Sequence, residues 1–185
     1  MKYSMRGNVD PFIVMDVMEN ARKAEEGGRK IIHMEVGQPS TAAPSDALER
    51  TSQIIKSNPL GYTVALGLPE LRKKISDLYG RWYNLDLDPS RVIVTSGSSG
   101  AFILSFTALF EEGARVGIGA PGYPSYRQIL KSLGISPVDI MTNFENKFQP
   151  TAEDVVSQNL DGLLVASPTN PTGSMLSKDE LTDLI

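Results

Sequence analysis

The sequence predicts an α/β fold with a mostly parallel sheet. Three observations carry that reading. From Arg91 onward, strand-like and helix-like segments alternate, and right-handed crossovers turn that order into a parallel sheet. The segment Gly162-Leu163-Leu164-Val165-Ala166 is apolar without a break, as a buried strand requires. Polar loops follow the strands expected to end at Thr95, Gly119 and Ala166, so three ligand-type loops share one edge of the sheet.

Before that alternation the chain is helical. Asp10-Pro11 is a helix start, and Phe12, Met15, Met18 and Ala21 form a helical stripe that ends at Gly27-Gly28. Ile31-Ile32-His33-Met34-Glu35-Val36 reads as a short strand, with His33 as a satisfied packing residue rather than a catalyst. Gly37-Gln38-Pro39 after it is either a simple turn or a place where backbone approaches a ligand. Ser45 opens a helix with Ala47, Leu48, Ile54 and Ile55 as its buried positions. Residues 61–67 form a glycine-bounded loop carrying Tyr62, whose hydroxyl either packs or donates to an anion. Pro69 begins the next helix, and Leu71, Ile75, Leu78, Tyr79 and Trp82 form its apolar stripe.

The alternating part begins with a strand at Arg91 to Thr95. Ser96-Gly97-Ser98-Ser99-Gly100 then leads into a helix that is apolar almost all round, from Ala101 to Phe110. A helix N-terminus presents N–H groups and the positive end of the helix dipole, so this turn is either plain capping or an anion site. It is neither a nucleotide P-loop nor a dinucleotide fingerprint, because no Gly-Lys-Ser/Thr follows and G-x-G-x-x-G is absent. Val116 to Gly119 is a strand running into Pro121-Gly122-Tyr123-Pro124-Ser125-Tyr126, where Tyr123 is placed to lie flat on a planar ligand and Tyr126 to be structural. A helix through Ile129, Leu130 and Leu133 stops at Gly134. Pro137 to Met141 is a strand, Asn143 to Gln149 a polar connection, and Thr151 caps a short helix. After Ala166 comes Ser167-Pro168-Thr169-Asn170-Pro171-Thr172-Gly173, stiffened by its prolines, with an Asn170 amide that both donates and accepts. This loop is either an ordinary turn or a ligand loop. Ser177-Lys178-Asp179-Glu180 starts the last helix.

Composition narrows the function. The chain has 185 residues, enough for a sizeable core, and a net charge of −4 without a long basic run, which argues against nucleic acid or anionic membrane as its main partner. With no cysteine and one histidine, disulfides, thiolate catalysis and a cysteine or multi-histidine metal site are excluded. No apolar stretch approaches the roughly 20 residues of a membrane span, and the N-terminus lacks a signal-peptide core, so a cytoplasmic location is expected.

Four segments, in order and spacing, resemble the class I/II aminotransferases: residues 61–72, the run from Val92 through Gly100, the Pro121-to-Tyr126 segment and the Ser167-to-Gly173 loop. The resemblance runs from about Val9 to the last residue. It implies a three-layer α/β/α pyridoxal 5′-phosphate (PLP) domain over residues 46–185, preceded over residues 1–45 by an N-terminal arm and helical small-domain segment. It implies that Gly97, Ser98 and Ser99 bind the PLP phosphate, that Tyr123 stacks on the ring and that Asn170 bonds the ring 3′-oxygen. Tyr62 would reach the cofactor phosphate of the other subunit of a homodimer, and Gly37 would lie near the substrate carboxylate. The implied substrates are an L-amino acid and a 2-oxo acid. C–S lyases and synthases share these motifs, and a non-catalytic dimer partner is a further alternative. The lysine that forms the imine, the aspartate facing the ring nitrogen and the carboxylate-binding arginine would all follow the Asn170 loop. The last helix ends about two turns after Ser177, and Leu181, Leu184 and Ile185 have the spacing of a face that either needs a core beyond Ile185 or packs, as a short terminal helix, on residues already present. The chain is therefore expected to be an N-terminal fragment that does not transaminate by itself.

Overall fold

A computed structural model describes residues 3–185, which form two compact units. One unit contains the residues up to Ile13 together with Ser96–Ile185, and the other is Val14–Thr95.

The first unit is built on a three-stranded parallel sheet. Its strands are β1 (Arg115–Ala120), β2 (Ser136–Met141) and β3 (Gly162–Leu164), in the order β2-β1-β3. β1 is paired on both sides: Val116 stands opposite Pro137 and Gly162, and Ile118 opposite Asp139 and Leu164. A central parallel strand loses water from both faces, and Val116 and Ile118 are buried accordingly.

Helices α4 (Gly97–Leu109) and α5 (Pro124–Ser132) cover this strand, with Phe106, Leu130 and Ile135 joining Val116 and Ile118 in one core. The crossover from β1 to β2 passes through α5. The return from β2 to β3 passes through the short α6 (Ala152–Val156) in the opposite lateral direction. Right-handed crossovers in opposite directions place α5 and α6 on opposite faces of the sheet. Two glycines allow the close packing. A Cβ on Gly162 would lie 2.5 Å from the Phe110 ring, and one on Gly117 would lie 2.6 Å from Leu160. The register of β3 is fixed at its entry, where the Arg115 N–H donates to the Asp161 carboxylate (2.7 Å) and the Arg115 guanidinium donates to the Gln158 and Asn159 carbonyls. The α6 start matches expectation, because Thr151 forms a reciprocal capping box with Asp154, and Ser177 does the same with Glu180 at α7 (Lys178–Asp183).

The other unit carries most of α1 (Ile13–Glu26), α2 (Ser45–Ser57) and α3 (Pro69–Tyr83). α1 starts later than Asp10-Pro11 predicts, because the Asp10 carboxylate is taken by Lys131 Nζ at 2.7 Å instead of capping a helix. That bond holds the Asp10 carboxyl below the usual carboxylate range.

Several expectations are corrected. Residues 31–36 and 92–95 form no strand. An apolar run supplies strand propensity, but a ladder needs a neighbour. Within residues 92–95 the Val94 N–H donates to the Leu66 carbonyl, and the Arg72 guanidinium donates to the carbonyls of Val92 and Pro89, bonds that build no ladder. The sheet edge therefore collects the loops after β1 and β3, and the third ligand-type segment arrives as the first turn of α4. The stripes on α2 and α3 bury no residue among those described; Leu48, Ile55, Leu71 and Trp82 are exposed. α4 buries Phe106 but leaves Ile103, Leu104 and Leu109 exposed.

His33 is not a packing residue. Its exposed ring lies between Glu35 (Nδ1, 2.7 Å) and Glu25 (Nε2, 3.0 Å). Hydrogen bonds to Glu35 and then Glu25 raise its pKa above 6.5. The raised value sets the sign: this bridge contributes while His33 is protonated and is lost as pH rises through the folded-state pKa. The chain holds one histidine, so its ring resonance titrates alone in a proton NMR spectrum. The titration midpoint should lie above 6.5, and Glu35→Gln should lower it; a midpoint at or below 6.5 would contradict this bridge. In the other unit, Leu130 is fully buried. Leu130→Ala should lower unfolding free energy by about 2–5 kcal/mol in a urea titration.

Candidate active site at the carboxyl ends of β1 and β3

The strand order changes direction at β1. The chain leaves β1 toward β2 on one side, while β3 lies on the other. Such a switch point opens a crevice beyond the carboxyl ends of the two strands, where open α/β sheets bind ligands. A cavity lies there, lined among others by Gly119, Gly122, Tyr126, Gln149, Leu164 and Asn170. It is small, about 20 Å³, room for roughly one water molecule, so a ring-sized ligand would sit at its mouth. The end of β1 is pinned by Thr142, whose N–H and hydroxyl both donate to the Ala120 carbonyl at 2.9 Å. Gly122 has no room for a side chain, since a Cβ would fall 2.4 Å from the Gly119 carbonyl oxygen.

An aromatic series leads across this mouth. Phe102 on α4 meets Tyr126 edge-on at 5.0 Å, and Tyr126 meets Tyr123 edge-on at 5.4 Å. Tyr123 in turn meets Phe12 at 6.2 Å. Such contacts fix ring planes. Tyr123 is half-buried at the N-cap of α5, with one part of its surface available. Burial, and then the neighbouring Tyr123, push the Tyr126 phenol above its ordinary pKa, so it stays a neutral hydroxyl. Tyr126 therefore has the structural role expected of it and also lines the cavity.

The first turn of α4 faces the same side of the sheet. α4 ends beside the entry to β1, so its N-terminus lies toward the strands' carboxyl ends. Ser98 is one turn, about 6 Å along the axis, before Phe102, which touches Tyr126. The N-cap Ser96 makes no side-chain cap, the first turn carries no acidic residue, and Gly97 has φ +72° with open space around its Cβ position. Ser98 and Ser99 are exposed. The donor set is thus backbone N–H groups and two hydroxyls at the positive end of a helix dipole, a chemistry that suits a phosphate.

The loop after β3 supplies Asn170. The Thr169 N–H donates to the Ser174 carbonyl (2.9 Å) and the Gly173 N–H to the Thr169 carbonyl (2.6 Å), so residues 169–174 close on themselves. Asn170 stands exposed in this loop and lines the cavity, and its amide has no hydrogen-bond partner among the described residues. The peptide bonds before Pro121, Pro168 and Pro171 are cis. Gln149 is the residue that sequence reading missed. It lies in what looked like a polar connection, yet it is 4% exposed and donates into the Asn170 loop. Nothing in its sequence context, a glutamine before Pro150 and Thr151, separates it from a surface residue.

Gly97, Ser98, Ser99, Tyr123 and Asn170 thus all belong to one unit, around one sheet edge. Gly37 and Tyr62 belong to the other unit. Gly37 is exposed and has open space at its Cβ position, and Tyr62 is fully exposed in its loop.

The parallel sheet, with α4 beginning in an uncapped serine-glycine turn and Asn170 at the switch-point cavity, defines an α/β domain whose open polar groups lie toward the strands' carboxyl ends. The family model of aminotransferase class I and II matches residues 29–185, and the chain belongs to that family. The valine–pyruvate aminotransferase of Mycobacterium tuberculosis is 41% identical over 97% of this chain and 47% of its own length. A crystal structure from Silicibacter pomeroyi is 58% identical with a TM-score of 0.89, the match covering 100% of this chain and 47% of that one. An aminotransferase structure from Mycobacterium tuberculosis is 40% identical with a TM-score of 0.94, over 100% of this chain and 48% of that one. The chain therefore spans about half the length of the relatives it matches.

A residue held for a ligand rather than for the fold should be dispensable to the fold. In ligand-free protein, Asn170→Ala should change unfolding free energy by less than about 0.5 kcal/mol in a urea titration. A loss of several times that would mean that the amide has a structural partner.

Proposed function

We propose that this chain is part of a PLP-dependent aminotransferase that moves an amino group between an L-amino acid and a 2-oxo acid. The observation that carries the proposal is a set of exposed polar groups with no side-chain hydrogen-bond partner among the described residues: the Ser98 and Ser99 hydroxyls at the start of α4 and the Asn170 amide at the switch-point cavity. The relatives named above are aminotransferases, which favours amino-group exchange over the lyase and synthase reactions of the same fold.

In this reading Gly97, Ser98 and Ser99 bind the cofactor phosphate through N–H and hydroxyl donors at the start of α4. Tyr123 holds the plane of the cofactor ring against the cavity mouth. Asn170 donates a hydrogen bond to the ring's 3′-oxygen and so biases where a proton resides. Bound PLP supplies an electron-withdrawing ring that stabilises charge left at the substrate Cα. Gly37 lets backbone approach the substrate carboxylate, and Tyr62 serves the neighbouring subunit of a homodimer; its full exposure leaves the hydroxyl free for that role. Residues 46–185 would form the cofactor domain and residues 1–45 the arm and small-domain segment. No helix among the described residues is long and apolar enough to cross a membrane, and a cytoplasmic location accords with that.

The test is reconstitution of the intact protein with PLP, followed by amino-group exchange between L-amino acids and 2-oxo acids. Uptake of PLP and exchange are expected. Ser98→Ala and Ser99→Ala should each weaken PLP about tenfold, the equivalent of about 1.4 kcal/mol for a hydrogen bond to a charged group. Failure to take up PLP would overturn the proposal.

A further inference from the structure

Gln149 is a buried polar side chain with all its donors engaged. Its Nε2 lies 2.6 Å from Thr169 Oγ1, 2.9 Å from the Ser174 carbonyl oxygen and 3.2 Å from the Ala166 carbonyl oxygen. Two of these three neighbours only accept, which fixes the amide with its nitrogen toward them. Two hydrogens face three acceptors, and the Thr169 hydroxyl resolves the count. It donates to the Ala166 carbonyl at 2.6 Å, leaving the Gln149 hydrogens for Thr169 Oγ1 and the Ser174 carbonyl. Gln149 thus ties the end of β3 and both stems of the loop to a segment that follows β2.

What this network holds is Asn170. Thr169 precedes it directly, and Ser174 closes the loop behind it. Gln149, Thr169 and Asn170 line the same cavity. The two amides differ in kind, one buried and satisfied by protein, the other exposed and without a protein partner. We infer that Gln149 is a positioning residue: by donating to Thr169 and Ser174 it holds the Asn170 amide at the cavity mouth, where it meets the ring oxygen of the cofactor. This rests on the PLP reading above. Removing the donors leaves the Ser174 carbonyl with the Thr169 N–H alone and unties both from the segment after β2, so the loop loosens and Asn170 no longer defines the proton affinity of the bound cofactor.

The test uses the intact protein loaded with PLP. Cofactor absorbance is titrated against pH for the unaltered protein, Asn170→Ala, Gln149→Leu and Gln149→Glu. Hydrogen exchange of the Gly173 amide, which donates to Thr169, is followed in the same samples. Asn170→Ala should move the absorbance midpoint, and Gln149→Leu should move it in the same direction while speeding Gly173 exchange at least tenfold. Gln149→Glu separates positioning from general loss of fold. Its neutral carboxyl keeps one donor, whereas its carboxylate faces two carbonyl oxygens, so Gly173 should be protected at acid pH and lose protection as pH rises. If Gln149→Leu does not fold, the Gln149→Glu series decides. The inference is overturned if the Gln149 variants superimpose on the unaltered protein in the absorbance titration or in Gly173 exchange, or if Asn170→Ala itself moves nothing. An unaltered protein that takes up no PLP would instead overturn the functional reading, and the inference with it.

Discussion

The two-sided pairing of β1 is the constraint from which the site follows. Val116 and Ile118 on one face and Gly117 on the other are all buried, and the strand hydrogen-bonds to neighbours on both edges. That pairing requires the chain to leave β1 on one side and return on the other, which opens the crevice between the carboxyl ends of β1 and β3. Tyr126, Gln149 and Asn170 line that crevice, Tyr123 packs edge-on against Tyr126, and α4 starts one turn before the Phe102 that touches Tyr126. The apolar core and the polar mouth are therefore consequences of one topology. Gly117 and Gly162 matter because side chains there would separate the layers that hold the crevice in place.

Polar groups around the crevice are sorted by whether protein already satisfies them. Gln149, Thr142 and Thr169 are paired with carbonyls and fix loop geometry. Among the described residues, the side chains of Ser98, Ser99 and Asn170 have no such partners, and all three residues are exposed. A buried donor without an acceptor costs more than a typical hydrogen bond gains, so the fold places its satisfied groups inside and its open ones at the rim. This sorting separates the residues that build the site from those that would meet a ligand.

Much of this was legible in the sequence because the signals were local. Thr151 and Ser177 announced capped helices, Gly134 a helix stop at φ +78°, and the apolar run at Gly162 a strand, although β3 ends at Leu164 rather than Ala166 and is half-buried rather than buried. The ordered loops around Gly97, Tyr123 and Asn170 pointed to one sheet edge. What failed depended on partners distant in sequence. Residues 31–36 and 92–95 have strand composition but no neighbouring strand to complete a ladder. The stripes of α2 and α3 have helical spacing, yet spacing does not reveal what covers them. His33 has no local signature that predicts a bridge to a carboxylate eight residues away. Gln149 was illegible for the same reason, since its partners lie 17 to 25 residues further on.

The central claim is that the start of α4 is a phosphate site at the sheet's switch point. The most direct test is to compare binding of PLP with binding of pyridoxal, which lacks the phosphate, to the intact protein by calorimetry. Losing the phosphate should weaken binding by about a hundredfold or more, and inorganic phosphate should compete with PLP. Equal affinity for the two, with no competition from phosphate, would contradict it.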